Sequence, residues 1–114
     1  MKDCLFCKIA AGEIPSGKLY EDERFVAFRD INPQAPTHIL IIPRVHIERL
    51  TDLGPNDAEL LGQMTLLGNK IAQDEGIVAD GFRTVFNCGA GAGQSVWHIH
   101  MHLLGGRAMQ WPPG

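Results

Sequence analysis

The stretch Trp97-His98-Ile99-His100-Met101-His102-Leu103-Leu104 sets three histidines in strict alternation with apolar residues. Successive side chains of a β-strand point to opposite faces, so the alternation reads as a strand. On such a strand His98, His100 and His102 share one face, with Cα atoms about 6.6 Å apart at each step. Trp97, Ile99, Met101 and Leu103 share the other face and are expected in the core. A helix would scatter the three rings over about 200° of its surface, at about 100° per residue. A single histidine on a strand is commonly a packed, hydrogen-bonded residue. Three on one face resist that explanation, because every buried ring nitrogen needs a partner. Either the row binds a metal, or one ring is a nucleophile that its neighbours orient and polarise.

Upstream, Phe82–Cys88 reads as a fourth strand, joined to the histidine strand by Gly89-Ala90-Gly91-Ala92-Gly93-Gln94-Ser95. A connection of hairpin length makes the two strands antiparallel neighbours. The loop lacks the Lys-Ser/Thr ending of a P-loop and leads into a strand, and many such loops are only turns. Its small residues still let backbone N–H groups approach an anion, and Gln94 and Ser95 add side-chain donors beside His100. A phosphate pocket is the expectation. A neutral imidazole, with a reference pKa of about 6.5, is available as a nucleophile at pH 7. Its other nitrogen should give its proton to an acceptor such as a backbone carbonyl. His100, with an imidazole on either side, is best placed to attack phosphorus and carry a covalent phospho-histidine. The outer rings would polarise phosphate oxygens or protonate a leaving group.

The rest of the chain supplies a scaffold. Cys4–Ala11 reads as a short helix stopped by Gly12 and the Ile14-Pro15-Ser16-Gly17 turn. Lys18–Glu21 alternates as a strand, and Arg24–Arg29 returns after the Asp22-Glu23 turn as the second strand of a hairpin. The proline-bearing stretch Asp30–Pro36 is a stiff loop, and His38–Ile42 is an aliphatic run suited to a strand buried on both faces, closed by Pro43. His46–Leu50 suggests one helical turn. The main helix runs from Pro55 to Glu75, with acidic Asp57 and Glu59 at its N-terminus and Gly76 as its stop. Leu60, Met64, Leu67 and Ile71 line one stripe, which is core packing rather than a cofactor site. Helices interspersed with strands in this order give an α+β domain, a five-stranded antiparallel sheet covered by one long and one short helix.

The chain has 114 residues, 45% hydrophobic and 20% charged, as expected for one soluble domain spanning residues 1–114. A net charge of −3 argues against a nucleic-acid or membrane-surface partner, though not against a local phosphate site. No apolar run approaches the roughly 20 residues of a membrane span, and Met1–Lys8 lacks a signal peptide's apolar segment. The expected compartment is therefore the cytoplasm. Three cysteines do not make a disulfide framework. Cys4 and Cys7 form a Cys-x-x-Cys pair open to metal ligation, redox coupling or simple burial, with metal favoured if histidines elsewhere complete four ligands.

His98-Ile99-His100-Met101-His102-Leu103-Leu104 resembles the His-φ-His-φ-His-φ-φ signature of the histidine triad (HIT) superfamily. Asp30–His38, Gly93-Gln94-Ser95, Gly105-Gly106-Arg107 and the terminal Trp111-Pro112-Pro113-Gly114 resemble its Hint branch, so the likeness spans nearly the whole chain. It implies a HIT-like fold, a homodimer whose two sheets join into one, and hydrolysis of purine nucleoside 5′-phosphoramidates to a nucleoside monophosphate and an amine. By that likeness His100 is the nucleophile. His102, Ser95 and His38 surround the phosphate and leaving group, and Asp30 holds the ribose. Phe6, Phe28 and Ile31 line the base pocket, Asn87, Gly93 and Gln94 lie around the phosphate, and Trp111 reaches the partner's site. Catalysis needs no cofactor. Cys4 and Cys7 resemble half of a structural zinc site found in some members, with His46 and His98 as the other ligands, which would turn His98 toward zinc. Arg29 stands where a histidine can occur, and Ala92 where glycine is common, either of which would shift substrate preference. Alternative readings are a dinucleoside polyphosphate hydrolase, a hydrolase using a metal on all three triad rings, or a nucleotide- or metal-binding module with little turnover.

Overall fold

Strand β2 (Phe25–Arg29) pairs antiparallel along its full length with β3 (Thr37–Pro43), Phe25 opposite Pro43 and Arg29 opposite Ile39. The two strands form the centre of a five-stranded sheet in the computed structural model, which describes residues 3–114. β1 (Lys18–Glu21) closes one side as a hairpin with β2. The hairpin is set by Asp22, whose Oδ1 accepts the N–H groups of Arg24 and Phe25 at 2.8 and 2.7 Å. On the other side of β3 lie β5 (Met101–Gly105) and then β4 (Phe82–Val85), giving the antiparallel order β1-β2-β3-β5-β4.

The sheet's period of two separates two cores. Phe25, Ala27, Ile39, Ile41, Met101 and Leu103 face α2 (Ala58–Asp74), which lays Leu60, Met64, Leu67 and Ile71 on them. The expected apolar stripe is therefore the helix's buried face. Val26, Phe28, Leu40 and Ile42 face the other way, under α1 (Leu5–Ala10) with Phe6 and Ile9. α1 begins with a cap, the Cys4 thiol accepting the Cys7 N–H at 3.3 Å, and α2 follows a 3-10 turn at Pro55–Asp57 in which Asp57 Oδ2 accepts the Gly54 N–H at 2.8 Å. α1 covers only part of its face. The uncovered part, over β3 and β5, is where the chemistry-bearing side chains gather. Among the described residues no helix is long and apolar enough to cross a membrane.

Several local expectations need correction. β5 begins at Met101, because residues 96–98 bend out of the ladder; Trp97 is consequently 41% exposed and not a core residue, lying against the Arg49 guanidinium at 5.7 Å. β4 ends at Val85, and the connection to β5 runs through 86–100 with a 3-10 turn at Ala90–Ala92, much longer than a hairpin turn. His46–Arg49 is not helical. Its groups are drawn to separate tertiary partners, the Ile47 carbonyl accepting the Ile99 N–H at 2.7 Å, and the nearby 3-10 turn falls at Leu50–Asp52. Pro43 is the last residue of β3 instead of lying beyond it.

Candidate active site and metal centre

His38 sits near the start of β3 and His102 on β5, on the face away from α2. His102 pairs with Leu40, so the two histidines are diagonal neighbours, and His38 Nε2 lies 2.9 Å from His102 Nδ1. The surrounding hydrogen bonds fix the tautomers. The Gln34 N–H donates to His38 Nδ1 at 3.0 Å, which leaves the His38 proton on Nε2. That proton is donated to His102 Nδ1, so His102 carries its own on Nε2. Asp30 Oδ2 lies 3.5 Å from His38 Nε2, and its Oδ1 accepts the Asn32 N–H at 2.8 Å.

His100 precedes the ladder, and its Nδ1–H donates to the His98 carbonyl at 2.8 Å. Its Nε2 therefore holds a bare lone pair. The ring is 8% exposed, with the Phe6 ring edge-on at 5.0 Å and the His102 ring 5.0 Å away. Burial pushes its pKa down, partly opposed by the bond to the His98 carbonyl and by Asp30. Burial also lowers His38, and it takes His102 down to about 4, helped by repulsion from His100 and His38. The site thus holds three neutral imidazoles at pH 7, one with an open nucleophilic nitrogen and one with an outward N–H.

A cavity of about 380 Å³ opens against these rings, a size and mixed lining suited to a small ligand. Phe6, Ile9, Ile14 and Phe28 give it apolar walls, and Asp30, Ser95, His100 and His102 give it polar ones. Ile31 is at its rim and 99% exposed. Asn87 and Gly93 lie in the loop beside it and Trp111, 82% exposed, in the tail; none of the three is part of its wall. Gln94 is committed elsewhere: its amide donates to the carbonyls of Glu48 and Val96 at 2.7 and 3.1 Å and its oxygen accepts the Gly89 N–H at 2.9 Å. It braces the loop and has no side-chain proton left for an anion. Sequence reasoning missed Leu5, Ile9, Ile14, Pro15, Ser16, Leu40 and Val96 in the wall, which also includes Arg29. The spacing of Leu5, Phe6 and Ile9 on one helix face was the available signal for Ile9.

All three triad rings lie on the sheet face under α1, as expected, with the Phe6 ring 6.0 Å from the His98 ring and 5.0 Å from the His100 ring, but His98 serves a different centre. His98 is fully buried among Cys4, Cys7 and His46. Its Nδ1 lies 3.3 Å from Cys4 Sγ, 3.6 Å from Cys7 Sγ and 3.3 Å from His46 Nδ1, which is itself 3.3 Å from Cys7 Sγ. Tetrahedral zinc with ordinary Zn–S and Zn–N bonds has S–N edges of about 3.5 Å and N–N edges of about 3.3 Å, so the four ligand atoms already stand at coordinating spacing. The His98 Nε2–H donates to the Pro43 carbonyl at 2.7 Å, which frees Nδ1 as a ligand. The donor set fits a structural metal. Asp30, His38 and His102 also cluster, but His38 Nδ1 is an acceptor and its Nε2 carries the proton, so that group is a hydrogen-bonded chain rather than a ready ligand set. This corrects the reading of the triad as three ligands of one catalytic metal.

A model described as the HIT domain matches residues 11–109. The chain belongs to the HIT domain family. A purine nucleoside phosphoramidase of Escherichia coli is 49% identical to this HIT protein over 108 residues, covering 95% of this chain and 91% of that one. A 14 kDa zinc-binding protein of Zea mays is 54% identical over 113 residues, covering 96% and 87%. The crystal structure of a HIT family hydrolase from Legionella pneumophila superimposes with a TM-score of 0.97 at 56% identity, covering 98% of this chain and all of that one. The HIT fold and its five-stranded antiparallel sheet are thereby established for this chain.

Proposed function

We propose that this HIT protein hydrolyses purine nucleoside 5′-phosphoramidates through a nucleotidyl-histidine on His100. The observation that carries the reading is the 2.8 Å bond from His100 Nδ1–H to the His98 carbonyl, which leaves Nε2 unprotonated beside the cavity. Nε2 attacks the α-phosphorus, the P–N bond breaks, and the nitrogen departs as the amine with a proton drawn from solvent. Water then attacks the phosphorus, loses its proton, and releases the nucleoside monophosphate and His100. The outward Nε2–H of His102 and the Ser95 hydroxyl are positioned to donate to phosphate oxygens or to the departing nitrogen. Phe6, Phe28, Ile9 and Ile31 provide an apolar seat for a base, and Asp30 a carboxylate for ribose hydroxyls. The 49% identity to a purine nucleoside phosphoramidase supports this substrate class over dinucleoside polyphosphates.

Cys4, Cys7, His46 and His98 would hold a structural zinc, supported by their spacing and by the similarity to a zinc-binding relative. Zinc there would tie α1 to the sheet and supply no chemistry to the cavity. The outer edge of β4 pairs with no strand among the described residues, which supports a homodimer formed by joining two sheets, and the exposed Trp111 is available to a partner's site. Rapid quenching of wild type with a fluorogenic adenosine phosphoramidate, followed by intact-protein mass measurement, tests the mechanism. A nucleotidyl adduct that is absent from His100→Ala supports it. Full turnover by His100→Ala excludes it.

A further inference from the structure

The residue that fixes the nucleophile's tautomer is also a ligand of the metal centre. His98 gives its ring to Cys4, Cys7 and His46 and its main-chain carbonyl to the His100 Nδ1–H at 2.8 Å. The N–H of the same peptide unit, that of Ile99, donates to the carbonyl of Ile47 at 2.7 Å, next in sequence to the ligand His46. This peptide plane lies before β5 begins, so the sheet ladder does not hold it. Its restraints are the His98 ring, clamped between the cluster and the Pro43 carbonyl, and the His46–Ile47 segment, anchored to the cluster by the His46 ring. The Gln94 bridge between the Glu48 and Val96 carbonyls and the buried Ile99 side chain restrain the flanking chain as well, but the direct holds on the peptide plane through the His98 and His46 rings meet at the four-ligand centre.

We infer that Cys4, Cys7 and His46 are positioning residues for catalysis, because the metal they bind with His98 holds the His98–Ile99 peptide plane and through it the orientation of His100. The inference rests on His100 being the nucleophile. Without a cation, two ring nitrogens 3.3 Å apart face each other and the two thiols with no common electrophile, and the cluster loses its reason to stay closed. A shift of the carbonyl by about 1 Å would break the bond to His100 and release the ring to the wrong tautomer, the kind of displacement that costs on the order of a hundredfold in rate.

The cluster also carries α1 through Cys4 and Cys7, and α1 brings Phe6 and Ile9 to the cavity wall. A purely structural role would therefore weaken substrate binding through that wall and raise KM. Control of the peptide plane lowers kcat instead. The two are separated by comparing His46→Ala with His46→Cys, which keeps four zinc-compatible ligands. Three quantities are read: metal per chain by atomic emission, kcat and KM on an adenosine phosphoramidate, and the His100 Nδ1–H resonance by nitrogen-edited NMR. The expected result is that His46→Ala loses the metal, loses the Nδ1–H signal and drops kcat by about tenfold or more, any rise in KM through the α1 wall coming on top of that loss. His46→Cys recovers metal, signal and most of kcat. Wild type that takes up no zinc, a metal-free variant with signal and kcat intact, or a loss confined to KM overturns the inference. If His46→Ala does not fold, zinc stripped from wild type by a chelator and restored is read by the same signal. If wild type turns over no phosphoramidate, the proposed activity fails, while the resonance still decides whether the metal centre holds His100.

Discussion

His38 donates its Nε2 proton to Nδ1 of His102 across 2.9 Å, and the Gln34 N–H at His38 Nδ1 allows no other arrangement of the neutral pair. A main-chain amide in the loop before β3 thus determines, through two rings, that His102 shows an N–H and not a lone pair to the cavity. Replacing His38 by Ala frees His102 Nδ1 to take the proton itself, and the outward donor disappears in that tautomer. His38→Ala is expected to lower kcat by about 10–100-fold while leaving the fold intact, since the general acid–base and electrostatic contribution is of that order. Steady-state kinetics on a phosphoramidate, with circular dichroism as the check on folding, measure it. An unchanged kcat would show that the His102 tautomer is irrelevant.

The depressed histidines set a pH dependence of definite sign. His102 titrates at about 4 in the folded protein and His38 below its ordinary value, each mainly because burial disfavours the charged ring. Unfolded histidines take up protons near pH 6.5, so below that pH the unfolded chain binds more protons than the folded one. The stability contributed by these neutral rings is fully present above about 6.5 and is lost as pH falls toward about 4. Urea midpoints should therefore decrease steadily from pH 7 to pH 4.5, and the acid limb of kcat/KM should lie below 6.5. A midpoint that rises over this interval would contradict the assignment.

The parts of the site that were legible in the sequence are those fixed by local periodicity or by a dense motif. The alternation in 101–105 placed His102 opposite the core face, and the 4-3-4 spacing in α2 picked out its buried stripe. Alternation failed at Trp97, because side-chain period describes a strand only while the ladder lasts and residues 96–98 bend away from it; it held at His98 and Ile99, which lie on opposite faces, but it carried no sign that His98 turns to the cysteines. The Cys4–Cys7 spacing marked a half-site, but the closure by His46 and His98 joins segments far apart in the chain, which no spacing rule reaches; only the family likeness indicated it. Gln94 was misread for the opposite reason. Its residue type suited an anion donor, yet its amide is consumed by the carbonyls of Glu48 and Val96.

Arg29 was expected to alter substrate preference by its type alone. It is among the residues lining the cavity, and its guanidinium makes a bidentate pair with Glu75 beyond the end of α2, at 2.9 Å on each nitrogen. That contact ties the last residue of β2, adjacent to Asp30, to the helix C-terminus. With Arg29 about half exposed, the pair is worth about 1 kcal/mol at most after solvent screening. Arg29→His should lower thermal stability by that modest amount and leave the ratio of adenosine to guanosine phosphoramidate kcat/KM unchanged. A shifted ratio would return Arg29 to the substrate.

Leu67 and Leu66 are neighbours in sequence with opposite surroundings. Leu67 is 8% exposed and packs in the core with Met64 and Ile71, while Leu66 is 63% exposed. Leu67→Asp removes apolar burial and places a carboxylate in a site without partners, which should cost more than about 3 kcal/mol. Leu66→Asp should stay within about 0.5 kcal/mol of wild type. Urea denaturation of the pair tests the assignment of the helix face, since comparable losses at both positions would mean the helix is rotated.

Gly105 closes β5 three residues after His102 in a space that admits no side chain. A Cβ there would stand 2.6 Å from Ile77 Cδ1 and 2.9 Å from Ile77 Cβ. The Cδ1 can swing away, but the Cβ is fixed to the backbone just after α2, so relief requires the strand end or that segment to shift. Gly105→Ala should destabilise the protein by about 1–3 kcal/mol. Pairing it with Ile77→Ala removes the Cδ1 and Cγ2 contacts and keeps the one to Cβ, so the double mutant should recover part of the loss attributable to Gly105→Ala and not all of it. Strict additivity of the two substitutions in urea denaturation would show that the close approach at Ile77 does not limit position 105.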